Sequence, residues 1–308
     1  SQMNLRRQNQ VIGSLKAPKI VFDAIPFYYK QLFMNRQNFM SEFWINRKLA
    51  EKEIYSFIAD YQNGMASALM ISGLLGSGKS YLSYKLAASA GAETKVYTII
   101  PPANGSVSLL MFNQVVQEAL ETEQEAAWDK LSPNSLVIFE DAELWWRKSA
   151  DGFVVLDEIH RIIKQYAKSI RFAVVMNSTA YEFISQLKPM DLIYSHLAVL
   201  EPIDARSLEN VLWKRHLASG LKLKLAGKAQ DSFHALDFAH LFTQYFRFSK
   251  GYPATAMAAW INNITAIENQ LLEIRTPLSI DKSIFDSLEE QDLLLLQLFL
   301  LHKQMDFE

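Results

Sequence analysis

The sequence contains no cysteine, which excludes disulfides, thiolate metal sites and cysteine nucleophiles and fits a reducing, cytoplasmic setting. It also lacks an excess of either charge. Lys+Arg number 31 against 33 Asp+Glu, a net charge of -2, so no global positive field draws the molecule to nucleic acid or anionic lipid. Long apolar runs are missing too. The longest, 293–301, is interrupted by Gln297 and is about half of the ~20 residues a membrane span needs. The opening stretch from Ser1 to Gln10 is polar and carries Arg6 and Arg7 without a following apolar core, unlike a signal peptide. Ser1-Gln2 ahead of Met3 reads as a cloning scar, and the chain stops soon after a leucine-rich helix. Both suggest a fragment of a longer protein. The histidines show no i, i+4 pairing with an accompanying glutamate, so no transition metal is assigned.

What is present is a globular composition: 50% hydrophobic and 12% aromatic residues in a chain of 308, enough for about two domains with real cores. Short apolar runs at 68–72, 96–100, 136–139, 172–176 and 197–200 alternate with helical stretches. This pattern predicts a five-stranded parallel sheet covered on both faces. Beyond Glu201-Pro202 the strand-like runs give way to helical periodicity at 205–218, 231–246, 254–274 and 288–302. The expected organisation is an N-terminal wrapping segment and helix over 1–60, an α/β core over 61–202 and an all-helical domain over 203–308. Within the first segment, 25–29 reads as irregular and 47–61 as a helix.

Glycine is scarce, at 11 positions, yet three fall within six residues. Gly73-Leu74-Leu75-Gly76-Ser77-Gly78-Lys79-Ser80 fits G-x-x-x-x-G-K-[ST], after a predicted strand and before a helix starting near Tyr81. In such a loop the backbone N–H groups turn inward around phosphate oxygens, Lys79 reaches the β and γ phosphates, and Ser80 ligates Mg²⁺. A carboxylate at the end of a neighbouring strand must complete the metal site. Two segments compete: 136–141, ending in Glu140-Asp141, and 154–158, ending in Asp157-Glu158. Strand counting favours the first, because 152–168 carries a helical stripe and leads into the strand at 172–176. Glu140 then joins Ser80 on the metal, Asp141 activates water, Asp157 and Glu158 lie on a solvated helix face, and Glu143 is exposed. The acids stand in the reverse of the usual Asp-Glu order, so hydrolysis is expected to be slow.

These residues resemble an AAA+ or STAND-type ATPase, of the additional-strand class of P-loop proteins. The resemblance covers roughly 25–275 and includes ATPase modules of large bacterial multidomain proteins and origin-recognition-type ATPases. It implies that Asn177, ending 172–176, senses the γ phosphate, and that Gly251-Tyr252-Pro253 is similar to the Gly-x-Pro element by which STAND switches hold nucleotide. It also implies that the 25–29 segment and Asn46-Arg47 border the adenine. The cofactors implied are ATP and Mg²⁺, and the activity a regulatory ATP-dependent switch acting on a protein partner or attached domains. A DNA-associated ATPase and a binding-only pseudo-ATPase are the alternatives. Two departures disfavour a ring-forming motor: His196 stands where an arginine finger is expected, and Ala254-Thr255 replaces a lid arginine. Trp145-Trp146 reads as packing rather than a binding tip, and the basic stretch 214–228 as a solvated face.

Overall fold

The computed structural model describes residues 18–34, 41–122, 127–278 and 288–302; the polar opening discussed above lies outside them. These residues divide into two compact units, one from 46–122, 127–201 and 288–302, the other from 18–34, 41–45 and 202–278.

The described residues begin with two helices, α1 (Lys19–Ala24) and α2 (Phe27–Met34), before the first unit begins with α3 (Lys48–Gln62). There the chain alternates: β1 (Ala68–Gly73), α4 (Lys79–Ser89), β2 (Val96–Ile99), α5 (Leu109–Ala119), β3 (Leu136–Phe139), α6 (Val154–Tyr166), β4 (Arg171–Asn177), α7 (Ser178–Leu187) and β5 (His196–Leu200). All pairings are parallel, in the order β2-β3-β4-β1-β5. β1, β3 and β4 are buried along their whole length, as sequences without alternation require when both faces are covered. β4 therefore separates the strand feeding the glycine-rich loop from β3, the strand that Glu140 follows. The segment 154–158 is the start of α6, whose buried stripe includes Val155, Leu156, Ile159 and Ile163. Asp157 is exposed and pairs with Lys188, while Glu158 holds Arg161 at 2.6 Å.

The second unit continues with α8 (Ala205–Ala218), β6 (Lys222–Leu225), β7 (Lys228–Ala229), α9 (Ala235–Ser249), α10 (Pro253–Asn262), β8 (Ile264–Glu268) and β9 (Leu271–Ile274); α11 (Glu290–His302) returns to the first unit. This corrects the all-helical expectation: a four-stranded sheet, β7-β6-β9-β8, accompanies the helices. The irregular reading of 25–29 holds for Ile25-Pro26 and is corrected for 27–29, which are helical. Ile25 and Tyr29 are buried beside Leu212, Tyr245 and Trp260 in the core of this unit, and Phe27 begins α2. The Tyr29 hydroxyl accepts from Trp260 Nε1 at 2.8 Å and lies 3.1 Å from His216 Nδ1. On α11, Leu293 to Leu296 are exposed.

Each unit buries a histidine in neutral form. Burial lowers His160 and His216 from the ordinary value to about 4. Because the folded value lies below the unfolded one, the unfolded chain binds the extra protons. The stability these sites contribute is whole above about pH 6.5 and is lost as pH falls towards 4, on the order of 3 kcal/mol for each histidine. Urea unfolding at pH 7 and pH 4.5 checks this: the midpoint should drop steeply, and an unchanged midpoint contradicts it.

Candidate functional site

The glycine-rich loop hangs from the buried end of β1 and runs into α4. Gly76 and Gly78 have φ of 79° and 105°, values that side chains with a Cβ rarely tolerate, and Gly78 is the N-cap of α4. Gly73 is needed for a different reason. A Cβ there would stand 2.4 Å from Ser77 Oγ and 2.9 Å from Leu200 Cβ. Lys79 is buried, and its ammonium donates to the Gly73 and Leu74 carbonyls at 2.8 and 3.4 Å. Ser80 and Leu75 are exposed, and Tyr81 is half-buried.

Arg47 meets the loop from the far side. Its N–H donates to Glu51 Oε1 at 3.0 Å, and Glu51 in turn pairs with Lys85 of α4 at 2.6 Å. The guanidinium donates to Ser77 O at 2.9 Å and to Glu201 O at 2.5 Å, and burial lowers its pKa. The guanidinium thus ties the loop to the end of β5.

Glu140 follows β3, its N–H donating to Ile99 O at 2.9 Å. Its Oε1 accepts from Ser83 Oγ at 2.5 Å. Burial raises the Glu140 carboxyl above its ordinary value; the Ser83 hydrogen bond and the Lys79 charge oppose this, while Asp141 and Glu143 add to it. Ser83 went unnoticed in the sequence, although it follows Ser80 by three residues and so shares its helix face. Asp141 is left-handed, φ 44° and ψ 45°, and caps the short 3-10 turn Ala142–Trp145.

Glu143, expected to be exposed, is instead fully buried, and its Oε2 accepts the Asn177 N–H at 3.1 Å. Trp145 and Trp146 are likewise buried, packing on Phe112 at 5.4 Å and Phe183 at 5.5 Å respectively. Asn177 lies opposite Gly73 in the β1–β4 register. Its Oδ1 accepts from Thr179 N at 2.9 Å, so the side chain caps α7 and keeps its amide NH₂ as a donor.

His196 sits between Asp60 Oδ2 at 2.8 Å and Glu53 Oε2 at 3.4 Å, tying β5 to α3. In the second unit, Gly251-Tyr252-Pro253 turns the chain from α9 into α10, with Pro253 at the first position of α10. Gly251 O accepts from Ile203 N at 2.9 Å. The basic stretch is mostly engaged: Lys222, Lys224 and Lys228 pair with Asp231, Glu273 and Asp237. Arg215 is half-buried, donates to the Leu32, Phe43 and Val211 carbonyls and is lowered by burial to about 10.

The first unit therefore gathers Arg47, the loop 73–80, Glu140, Asp141 and Asn177 at the carboxyl ends of β1, β3 and β4. Left-handed glycines at a helix start, a buried lysine and a nearby carboxylate form a cradle that suits a polyphosphate. Among the described residues no group of three or more His, Cys, Asp or Glu could hold a metal ion.

Neither a protein family nor a curated protein matches the sequence. Solved structures do. Aeropyrum pernix ORC2 with ADPNP and ADP is similar over 87% of this chain and 76% of that one, with a TM-score of 0.53 and 16% identity. ORC1 of the same organism in complex with DNA covers 74% and 61%, TM-score 0.48, 16% identity. A Thermotoga maritima RuvB variant covers 70% and 61%, TM-score 0.45, 12% identity. The chain spans less than two thirds of the RuvB length. The ORC2 likeness shows the fold: an α/β, P-loop NTPase-like parallel sheet with helices.

Proposed function

We propose that this chain is an Mg²⁺-ATP-binding, slowly hydrolysing switch module of the STAND kind, working in the cytoplasm. The observation that carries the reading is the loop at the end of β1, with left-handed Gly76 and Gly78 leading into Lys79 at the start of α4. Backbone amides of the 73–80 loop hold the phosphates, and Lys79 leaves the Gly73 and Leu74 carbonyls to contact the terminal ones. Ser80 and Glu140 are the metal ligands of this reading. Held by Ser80 and Glu140, Mg²⁺ would supply charge neutralisation on the transferred phosphoryl group. Asp141 accepts the proton of the attacking water, and the Asn177 amide donates at the γ-phosphate side. In this reading Arg47 borders the base. Closure on nucleotide is relayed to a protein partner or attached domains.

A binding-only role is the second reading, supported by the buried Glu140 carboxyl held by Ser83 and by the reversed order of the acids. A DNA-associated role is less well supported, because the lysines of 222–228 are ion-paired with carboxylates. Among the described residues no helix is long and apolar enough to cross a membrane.

Titration calorimetry tests the nucleotide assignment. Mg²⁺-ATP should bind with one site per chain, and at 100 times its Kd should stabilise the protein by about 2.7 kcal/mol. No heat and no thermal shift with either ATP or GTP at millimolar concentration contradicts the assignment.

A further inference from the structure

β3 accompanies β4 only as far as the Phe139↔Val174 pair, whereas β4 continues to Asn177, still paired with β1 on its other side. The chain leaving β3 has to finish that edge of β4 with something other than strand. Asp141 provides the means. Its left-handed backbone turns the chain into the Ala142–Trp145 turn, which the buried rings of Trp145 and Trp146 fix in place. The turn delivers Glu143, fully buried, so that its Oε2 accepts the Asn177 N–H. A buried carboxylate is costly unless hydrogen-bonded, and an apolar residue would fill the space more cheaply. What the carboxylate adds is a hold on Asn177 at the main chain, while Thr179 N holds the same residue at its Oδ1.

We propose that Glu143 is a positioning residue. Its carboxylate fixes the end of β4 so that the Asn177 amide is presented beside Gly73 and distinguishes a triphosphate from a diphosphate. The proposal rests on the nucleotide reading above. Because Glu143 shares one short turn with Glu140 and Asp141, movement of those acids is passed to Asn177 through this bond.

The test uses Glu143→Gln, which keeps an acceptor oxygen in place, and Glu143→Ala, which removes it. Two quantities are read: amide exchange at Asn177 by NMR in the nucleotide-free protein, and the ratio of ADP to ATP dissociation constants. Glu143→Ala should speed exchange at Asn177 at least ~30-fold while the β1 amides keep their protection. It should also shrink the ADP-to-ATP ratio about 10-fold, chiefly through weaker ATP binding. Glu143→Gln should keep both quantities within ~3-fold of wild type. Should the alanine variant fail to fold, Glu143→Leu fills the volume without an acceptor and serves in its place. Unchanged exchange or an unchanged ratio in the alanine or leucine variant overturns the proposal, as does a glutamine variant as impaired as alanine. A wild type that binds neither nucleotide defeats the nucleotide reading instead, and Asn177 exchange then decides the tie alone.

Discussion

Lys79→Ala should weaken Mg²⁺-ATP binding by at least ~100-fold, a loss of about 2.7 kcal/mol or more, while leaving the fold intact. The lysine is buried and its ammonium donates to the Gly73 and Leu74 carbonyls, acceptors weaker than a charged phosphate oxygen. Alanine is well tolerated in the first turn of a helix, so α4 keeps its start and the loop its left-handed glycines. Removing the ammonium also takes away a charge that opposes the upward shift of Glu140, so that carboxyl should rise further. Calorimetry beside a far-ultraviolet circular dichroism melt checks both parts. Wild-type affinity in the variant, with the helix signal unchanged, would contradict the role of Lys79.

Asp141→Asn should spare nucleotide binding within ~3-fold and slow hydrolysis by about 10²-fold or more, the usual scale for losing a positioned general base. The backbone makes this variant clean. Asp141 occupies the left-handed region, which asparagine tolerates at least as well as aspartate, so the Ala142–Trp145 turn and the Glu143 contact with Asn177 should persist. A single-turnover assay reads the chemical step. A rate equal to wild type would move the base to another acid, and a wild type with no measurable turnover would favour the binding-only reading.

The parallel core was legible because its strands are continuous apolar runs separated by helical periodicity, and because the 73–80 motif places three glycines where backbone must turn. The small sheet of the other unit was hidden for a physical reason. β8 and β9 are joined at Asn269-Gln270, both left-handed at φ 47° and 66°, a turn normally announced by glycine. Without that signal, 254–274 keeps a helical look. Lys222-Leu223-Lys224-Leu225 does alternate with period two, but its charge drew attention as a basic run instead. Glu143 was beyond sequence reasoning altogether, since a four-residue turn has no periodicity to say which side chain goes inward. Its flanking Ala142 and Trp145-Trp146 were the available hint. Asn177 shows how two roles overlap: the residue that ends β4 also caps α7 through its Oδ1. Arg47 was named for its place near the base, yet what the structure shows is its grip on Ser77 O and Glu201 O, a support for the loop itself.

Crystals grown with Mg²⁺ and a non-hydrolysable ATP analogue measure the central claim most directly. The account predicts β and γ phosphates within hydrogen-bonding distance of the Gly76 to Ser80 amides, Lys79 Nζ turned from Gly73 O to a phosphate oxygen, and the metal on Ser80 Oγ. Density for the analogue elsewhere on the chain, with Lys79 still on the Gly73 and Leu74 carbonyls, would contradict it.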